Sequence, residues 1–92
     1  METTFEKNGW FMFTKTKCSY CAKAKALLPE ASIVECDEFL KDRDAFLSYV
    51  DSLTDKKPRT FPMVFYDGRF MGGFTETSNY LTTMNEFKLG DF

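Results

Sequence analysis

Two cysteines one helical turn apart, Cys18 and Cys21, are the residues of this chain best suited to chemistry. Such a C-x-x-C pair can bind a metal or exchange disulfides, because a thiolate is both a metal ligand and a nucleophile. A zinc site usually needs four ligands from Cys, His and carboxylate side chains. This chain has no His and only one further cysteine, Cys36. The composition therefore favours thiol–disulfide exchange over a zinc-stabilised structural module.

The two sulfurs of the pair are predicted to differ in reactivity. Cys18 falls between a predicted strand and a predicted helix, where the free N–H groups of the helix start stabilise an anion. This position can lower the pKa of Cys18 from ~8.5 into the range of ~3.5–7.5. Lys15 and Lys17 would add to this effect if their ammonium groups fold back. Cys21 lies one turn deeper, where its thiolate is stabilised less. We therefore predict that Cys18 attacks the substrate disulfide and that Cys21 resolves the resulting mixed disulfide.

Length, composition and charge are typical of one small domain, residues 1–92, with a dense core. Apolar residues make up 43% of the chain. The net charge of −2 does not indicate a basic surface that would bind nucleic acid or an anionic membrane. No apolar run approaches the ~18 residues of a membrane span. The first residues lack the pattern of a signal peptide. We therefore expect an intracellular, cytoplasmic monomer, in a compartment where thiols stay reduced.

The first half of the chain predicts a strand, a helix and a second strand. The apolar run Trp10–Phe13 indicates a strand that is buried on both faces. Strong helix formers occupy residues 22–28, directly after the cysteine pair, and Pro29 ends that helix. Ile33 and Val34 then form a second short strand. This strand–helix–strand order predicts parallel pairing with a right-handed crossover.

The second half predicts a helix, a hairpin and a last helix. Asp42 can cap a helix, and Asp67-Gly68 predicts a type I′ turn between strands 63–66 and 69–71. Thr75 can cap the last helix. The predicted apolar faces of the two helices consist of Phe46, Val50 and Leu53, and of Tyr80, Met84 and Phe87. The order β-α-β-α-β-β-α predicts an α/β fold with a mixed four-stranded sheet and flanking helices.

Two further segments could contribute to binding. Pro62 precedes the third strand, and a cis bond there would expose the backbone N–H and C=O of Phe61 to a peptide-like substrate. Gly72 and Gly73 precede the helix that begins near Thr75. A helix start beside a glycine turn can bind a carboxylate, although a simple turn would have the same sequence.

Taken together and in order, these segments resemble the glutaredoxins. The matching pieces are Lys15-x-x-Cys18-Ser19-Tyr20-Cys21, Arg59-Thr60-Phe61-Pro62 and Gly72-Gly73-x-Thr75, within a resemblance from about Trp10 to Phe87. The chain is similar to the dithiol branch, since the monothiol branch has Ser where Cys21 stands. Thioredoxin proper carries Trp-Cys-Gly-Pro-Cys instead. The resemblance implies a thioredoxin-like fold and a cis Pro62.

The resemblance also implies glutathione as cosubstrate. Its implied binding residues are Lys15, Tyr20, Arg59, Phe61, Pro62, Phe74 and Thr75. Lys15 would pair with the glycine carboxylate, helped by Arg59, and the Phe61 backbone would bind the cysteinyl part. Tyr20 would line the groove, while Phe74 and Thr75 would hold the γ-glutamyl end. The implied activity is a glutathione-disulfide oxidoreductase that reduces protein disulfides and glutathionylated proteins, with ribonucleotide reductase as a partner by family analogy.

The sequence departs from the family pattern at several positions. Phe61 stands where the family usually has Val and is expected to enlarge the groove wall. Glu76 stands where Asp is common, and Leu47 lies about where many members place a glutathione-contacting Gln. Cys36 has no role that the resemblance implies, and we expect it in the core or at a strand edge.

Two alternatives remain at the level of sequence. Some relatives with Cys-Ser-Tyr-Cys hold a [2Fe–2S] cluster between two subunits, each providing its first cysteine, Cys18 here, and a glutathione sulfur. Such a dimer would act as a cluster carrier or redox sensor, and no other metal site is expected. The second alternative keeps the disulfide chemistry but takes its electrons from a thioredoxin-type reductase.

Overall fold

The fold consists of a sheet between helices, and its element order is the one that the sequence predicts. The computed structural model describes residues 5–90, with side chains through Met84. The elements are β1 (Trp10–Thr14), α1 (Ser19–Leu27), β2 (Ser32–Glu35), α2 (Arg43–Leu53), β3 (Met63–Tyr66), β4 (Arg69–Gly72) and α3 (Phe74–Gly90). A 3-10 turn, Phe39–Asp42, precedes α2. No helix in these residues is both long and apolar enough to cross a bilayer.

The four strands form one mixed sheet in the order β2-β1-β3-β4. β1 pairs parallel with β2 and antiparallel with β3, and β3 pairs antiparallel with β4. The parallel pair is joined through α1, as expected for a strand–helix–strand unit. This arrangement confirms the predicted thioredoxin-like architecture.

The sheet is covered on both faces, which explains the uninterrupted apolar run of β1. Phe11 and Phe13 point to one face, where they pack with Phe46 of α2. Met12 points to the other face and packs with Ala24 of α1. All five side chains are fully buried. Because successive side chains of a strand alternate between faces, a strand in this position needs apolar residues throughout.

Two local predictions are confirmed by backbone geometry. The Asp42 carboxylate accepts a hydrogen bond from the Ala45 N–H at 3.2 Å, which caps α2. Asp67 and Gly68 have φ angles of 49° and 82°. Positive φ at both central residues defines the type I′ turn that the Asp-Gly pair predicts.

The predicted apolar face of α3 is wrong at Met84. The helix begins at Phe74, one residue before the predicted cap. Thr77 is fully buried and Leu81 packs on the α1 side of the core, whereas Met84 is 41% exposed. Residues three and four apart share a helix face, so the core face includes positions 74, 77 and 81. A buried Thr on this face hides it from a search for apolar periodicity.

The other two residues of that predicted face have different outcomes. Tyr80 is half-buried, and its ring centroid lies 6.0 Å from that of Trp10. The side chain of Phe87 lies outside the described residues. Among its described side chains, the last helix therefore packs through positions 74, 77, 80 and 81.

The sheet register brings the three segments of interest to one end of the molecule. Phe13 pairs with Met63, so the residues after β1 lie beside those before β3. Val64 pairs with Gly72, so β4 also ends at that edge. The cysteine pair, the Phe61-Pro62 segment and the start of α3 consequently meet there.

Candidate active site

The cysteine pair lies at the start of α1 and is bonded as a disulfide, with its Cα atoms 5.2 Å apart. Cys18 is the N-cap residue, and the N–H of Cys21 donates to its Sγ at 3.2 Å. No acidic residue occupies the first turn of α1. Cys21 is 1% exposed, whereas Cys18 is only half-buried. A substrate sulfur can therefore approach Cys18 more easily than Cys21.

The loop between β1 and α1 is held by a carboxylate at the end of β2. Asp37 accepts hydrogen bonds from the hydroxyl of Thr16 at 2.7 Å and from its backbone N–H at 3.3 Å. These bonds keep the pKa of Asp37 below its ordinary value. Lys17 continues the loop with a φ of 54°. Asp37 was not predicted to lie at the site, because no local sequence pattern links residues 16 and 37.

The peptide bond between Phe61 and Pro62 is cis, as the resemblance implies. The Sγ of Cys18 lies 3.8 Å from the Phe61 carbonyl oxygen, so a reduced thiol at this position can donate to it. The Phe61 ring stacks on that of Phe46, with centroids 5.9 Å apart and planes at 18°. The Lys15 Nζ lies 6.0 Å from the centroid of the same ring. Phe61 thus contacts the core and Lys15 at once.

A cleft of about 270 Å³ lies beside Phe61, and we call it the Lys15 cleft. It is lined by Lys15, Leu40, Arg43, Leu47, Arg59, Thr60, Phe61 and Met63. Lys15 and Arg59 share this cleft, as the sequence analysis expected for a pair of carboxylate-binding residues. Leu47 lines the apolar part of it. Arg43 and Leu40 were not anticipated, because they precede the periodic part of α2.

Arg59 is bound to a carboxylate of its own chain. Its two terminal nitrogens donate to the two oxygens of Asp51, each at 3.0 Å, and one of them also donates to the Pro58 carbonyl at 2.8 Å. The pairing holds the pKa of Asp51 below its ordinary value and raises that of Arg59. Because both carboxylate oxygens are engaged, the charge of Arg59 is largely neutralised within the chain.

The start of α3 carries the predicted glycine turn. Gly72 has a φ of 127°, and a Cβ at this position would lie 2.6 Å from the Cβ of Glu76. The Glu76 carboxylate accepts from the Gly73 N–H at 2.8 Å. A second cleft of about 390 Å³ is lined by both glycines, Glu76 and Pro62, among others. Thr75 is exposed at the helix start.

The remaining predicted groove residues, Tyr20 and Phe74, pack against each other between α1 and α3. Their ring centroids are 6.0 Å apart, and Tyr20 is 53% exposed. The Lys23 Nζ lies 5.1 Å from the Tyr20 centroid and 6.0 Å from that of Phe74. Lys23 itself is exposed. Its ammonium lies over both aromatic rings. Tyr20 is three residues away on the same helix, whereas the contact with Phe74 depends on how α3 packs against α1.

A third cleft, of about 470 Å³, opens on the β2 side of the disulfide. It includes both cysteines and the ion pair of Lys25 with Glu35. Glu35 also accepts from the Thr14 hydroxyl at 2.9 Å. The hydrogen bonds from Lys25 and Thr14 lower the pKa of Glu35. This side of the pair therefore carries an ion pair close to both cysteines.

Cys36 is fully buried in the core beneath α2, which confirms the structural interpretation of this residue. Its Sγ lies 3.5 Å from the Val34 carbonyl oxygen. Burial raises the pKa of Cys36 to about 12. A thiol in this state is a poor nucleophile near neutrality, so Cys36 takes no part in the site. Among the side chains that the structure describes, through Met84, no group of three or more Cys, Asp or Glu residues is arranged to hold a metal ion.

Comparison with known proteins identifies the family. A glutaredoxin family model matches residues 11–71, about two thirds of the chain. The chain belongs to the glutaredoxin family. Glutaredoxin-2, mitochondrial, from Homo sapiens is 35% identical over 81 residues, which are 84% of this chain and 48% of the relative. Glutaredoxin-1 from Rhizophagus irregularis is 36% identical over 77 residues, which are 79% of this chain and 73% of the relative.

The glutaredoxin fold is also found among solved structures. That of oxidized glutaredoxin 2 from Chlamydomonas reinhardtii superposes with a TM-score of 0.67 at 31% identity, covering 89% of this chain and 78% of that one. The chain spans about half the length of the mammalian glutaredoxins that it matches. The family match ends before Gly72, so the start of α3 lies beyond it. The cysteine pair, Phe61 and Pro62 lie within it.

Proposed function

We propose that this chain is a glutathione-dependent thiol–disulfide oxidoreductase that acts through Cys18 and Cys21. The observation that carries the proposal is the asymmetry of the pair. The half-exposed Cys18 sulfur accepts the Cys21 N–H at 3.2 Å, while the Cys21 sulfur is buried. A thiolate at Cys18 would gain the same N–H and the positive end of the α1 dipole. Cys21 would then react only with a sulfur that Cys18 already carries.

With a glutathionylated protein, only Cys18 is needed. Its thiolate attacks the glutathione sulfur, an S–S bond forms between Cys18 and glutathione, and the target leaves as a thiolate. A second glutathione thiolate then attacks the sulfur of the bound glutathione. Oxidised glutathione leaves, and the Cys18 thiolate is regenerated. The two glutathione molecules are thereby joined by a disulfide bond. The two electrons that this oxidation releases reduce the target cysteine.

With a protein disulfide, both cysteines are needed. Cys18 forms a mixed disulfide with one target sulfur and releases the other as a thiolate. Cys21 then attacks Cys18, which forms the intramolecular disulfide and releases the reduced target. The Cα separation of 5.2 Å is compatible with that bond. Two molecules of glutathione reduce the pair again and leave as oxidised glutathione.

Glutathione would lie along the edge where the three segments meet. Lys15 at the Lys15 cleft is available for its glycine carboxylate, and the backbone of Phe61, next to Cys18, for its cysteinyl part. The helix start at Phe74 and Thr75 would bind the γ-glutamyl end. The Glu76 carboxylate already accepts from Gly73 at this turn. The γ-glutamyl carboxylate would therefore bind the backbone N–H groups of the residues after Gly73.

A coupled assay tests the proposal. Reduction of a glutathionylated peptide is followed with glutathione, glutathione reductase and NADPH, and in parallel with a flavin thioredoxin reductase and NADPH. Turnover with the first system and not with the second is expected. Turnover only with the thioredoxin reductase would show that this enzyme, and not glutathione, is the electron donor. No turnover with either system would reject the proposed oxidoreductase activity.

The iron–sulfur alternative remains a prediction from the sequence. A [2Fe–2S] cluster needs four thiolate ligands, and Cys36 is too deeply buried to supply one. Cys18 would be the one cysteine from each of two chains, with two glutathione sulfurs completing the set. Anaerobic purification with glutathione tests this, since a brown dimer would support the alternative and a colourless monomer would contradict it.

The partners and location belong to the same proposal. The chemistry would suit disulfide-containing or glutathionylated proteins, with ribonucleotide reductase as one target by family analogy. A reducing compartment such as the cytoplasm would keep the pair ready to react. The mammalian relatives are named as mitochondrial proteins, so cell fractionation with an antibody to the chain is the direct test.

A further inference from the structure

The third cleft holds an ion pair beside the buried sulfur of the disulfide. Cys21 and Lys25 are four residues apart on α1, so their side chains share one face of that helix. Both residues line the third cleft, as does Glu35 at the end of β2. Lys25 forms its ion pair with Glu35 within this lining. A cation is therefore fixed on the side of α1 that carries Cys21.

Hydrogen bonds from the sheet set the position of this cation. The Glu35 carboxylate accepts from the Lys25 ammonium and from the Thr14 hydroxyl, the latter at 2.9 Å. Thr14 is the last residue of β1 and is fully buried. These bonds lower the pKa of Glu35, so its carboxylate is ionised near neutrality. The contacts from Thr14 through Glu35 thus hold the Lys25 ammonium at the cleft, although both charged side chains are partly exposed to solvent.

The remaining charged groups of this cleft belong to the loop before α1 or contact that loop. They are Lys15, Lys17 and Asp37. The Asp37 carboxylate is occupied by the hydroxyl and the N–H of Thr16. Among the described charged groups of this lining, Lys25 is therefore the one that follows Cys21 on its own helix.

Opening of the disulfide places a negative charge on Cys21. The incoming thiolate attacks the half-exposed sulfur of Cys18 and forms a new S–S bond with it. The bond between Cys18 and Cys21 breaks, and the Cys21 sulfur leaves with the electron pair as a thiolate, which later takes a proton from solvent. Cys21 is 1% exposed, so water solvates this thiolate poorly. A disulfide opens faster when the leaving thiolate is more stable.

We propose that Lys25 stabilises the Cys21 thiolate as the disulfide opens, and that Glu35 and Thr14 are positioning residues that hold the Lys25 ammonium for this purpose. The assignment rests on the proposed function, in which glutathione is the thiol that opens the pair. It applies to the dithiol reaction alone, because the disulfide between Cys18 and glutathione does not have the Cys21 sulfur as its leaving group. The two members of the ion pair act with opposite sign, since the Glu35 carboxylate repels a thiolate that the ammonium attracts.

The test measures how fast the oxidised protein is opened by two thiols, glutathione and dithiothreitol. Dithiothreitol carries no carboxylate, and its second thiol completes the reduction as soon as the pair is open. Acid quenching, alkylation and mass spectrometry follow the loss of the disulfide. The variants are Lys25→Met, Lys25→Arg and Glu35→Gln. Lys41→Met is the matched control, because Lys41 also forms an ion pair, with Glu38, but is not part of the third cleft lining.

Lys25→Met is expected to slow the opening by both thiols roughly threefold, a modest change because the ammonium is partly exposed and screened. Lys25→Arg should restore most of the rate. Glu35→Gln should speed the opening by a similar factor, because the amide oxygen still accepts from Lys25 and Thr14 while the negative charge is gone. Both differences should shrink at about 1 M salt. Lys41→Met should match the wild type.

An ion pair with a structural role only would give a different pattern. If Lys25→Met and Glu35→Gln both slow the opening, or if neither changes it, the assignment is wrong. In a Cys21→Ser background, Lys25→Met should leave the reduction of glutathionylated peptide unchanged, and a loss there would also contradict the assignment. A wild type that dithiothreitol opens but that shows no turnover with glutathione would reject the proposed function, while the dithiothreitol rates would still decide the role of Lys25.

Discussion

The Sγ of Cys18 lies 3.2 Å from the backbone nitrogen of Cys21, and the N–H of that residue donates to it. One cysteine of the pair thus provides the hydrogen bond that would stabilise the thiolate of the other. The buried sulfur of Cys21 cannot meet a large substrate directly. The two residues are therefore unequal by position, although they are identical in chemistry.

The first prediction concerns this inequality. Cys18→Ser is expected to abolish both the reduction of glutathionylated peptide and the reduction of protein disulfides, because no other thiol is both accessible and activated. Cys21→Ser should keep the first activity and lose the second, since only the second needs a resolving thiol. Both are measured in the glutathione-coupled assay. Equal loss of the two activities in Cys21→Ser would show that the division of roles is wrong.

The second prediction concerns Cys36. With a pKa of about 12, roughly one molecule in ten thousand carries its thiolate at about pH 8. The reduced native protein should therefore react quickly with a thiol reagent at the half-exposed Cys18 and not at Cys36. Cys36 should become reactive in denaturant, which mass spectrometry of the labelled peptides would detect. Fast native labelling at Cys36 would mean that the core beneath α2 opens readily.

Much of the fold was predictable because it depends on local sequence. The apolar run of β1 predicts a strand buried on both faces, Asp67-Gly68 predicts the turn, and Asp42 predicts the cap of α2. The position of Cys18 at a helix start follows from the change in composition after β1. In each case the residues that determine the structure are neighbours in the chain.

The side-chain partners within the site were not predictable in the same way. Arg59 binds Asp51, eight residues away across a loop, and Asp37, in the turn after β2, binds Thr16 in the loop after β1. Such contacts depend on how the elements pack, which a periodic pattern does not contain. The buried Thr77 shows the same limit on α3, because its hydroxyl makes a core position look polar. The sequence therefore named the cleft residue Lys15 but not Arg43.

The third prediction uses the pKa of Asp37, which the Thr16 hydrogen bonds lower in the folded state. A depressed folded pKa adds stability at pH values above the ordinary value for Asp, and this stability is lost as the pH falls through the folded pKa. Asp37→Asn should therefore lower the melting temperature at neutral pH, and the difference from wild type should shrink on acidification below about pH 4.

Asp55→Asn is the matched control for that measurement. Asp55 is exposed and makes no side-chain hydrogen bond or ion pair with the described side chains of residues 5–84. Its substitution should leave the melting temperature nearly unchanged at every pH. A difference between wild type and Asp37→Asn that stays constant with pH would indicate that the charge of Asp37 has no part in holding the loop.

The last prediction separates two roles of Phe61. Its ring stacks on Phe46 and also lies under the ammonium of Lys15. The Phe39 ring also stacks on Phe46, with centroids 6.0 Å apart. Phe39 is not part of the Lys15 cleft lining. Phe61→Val and Phe39→Val should each lower the free energy of unfolding by about 1–3 kcal/mol, because each removes a stacked ring and apolar contact. Only Phe61→Val should also raise the KM for glutathione, by about 2- to 5-fold, since the cation–π contact that positions Lys15 is worth about 0.5–1 kcal/mol at an exposed site.

Chemical denaturation and the coupled assay measure the two effects separately. An equal rise in KM for both variants would mean that the ring acts through stability alone, and that Lys15 does not depend on Phe61 for its position.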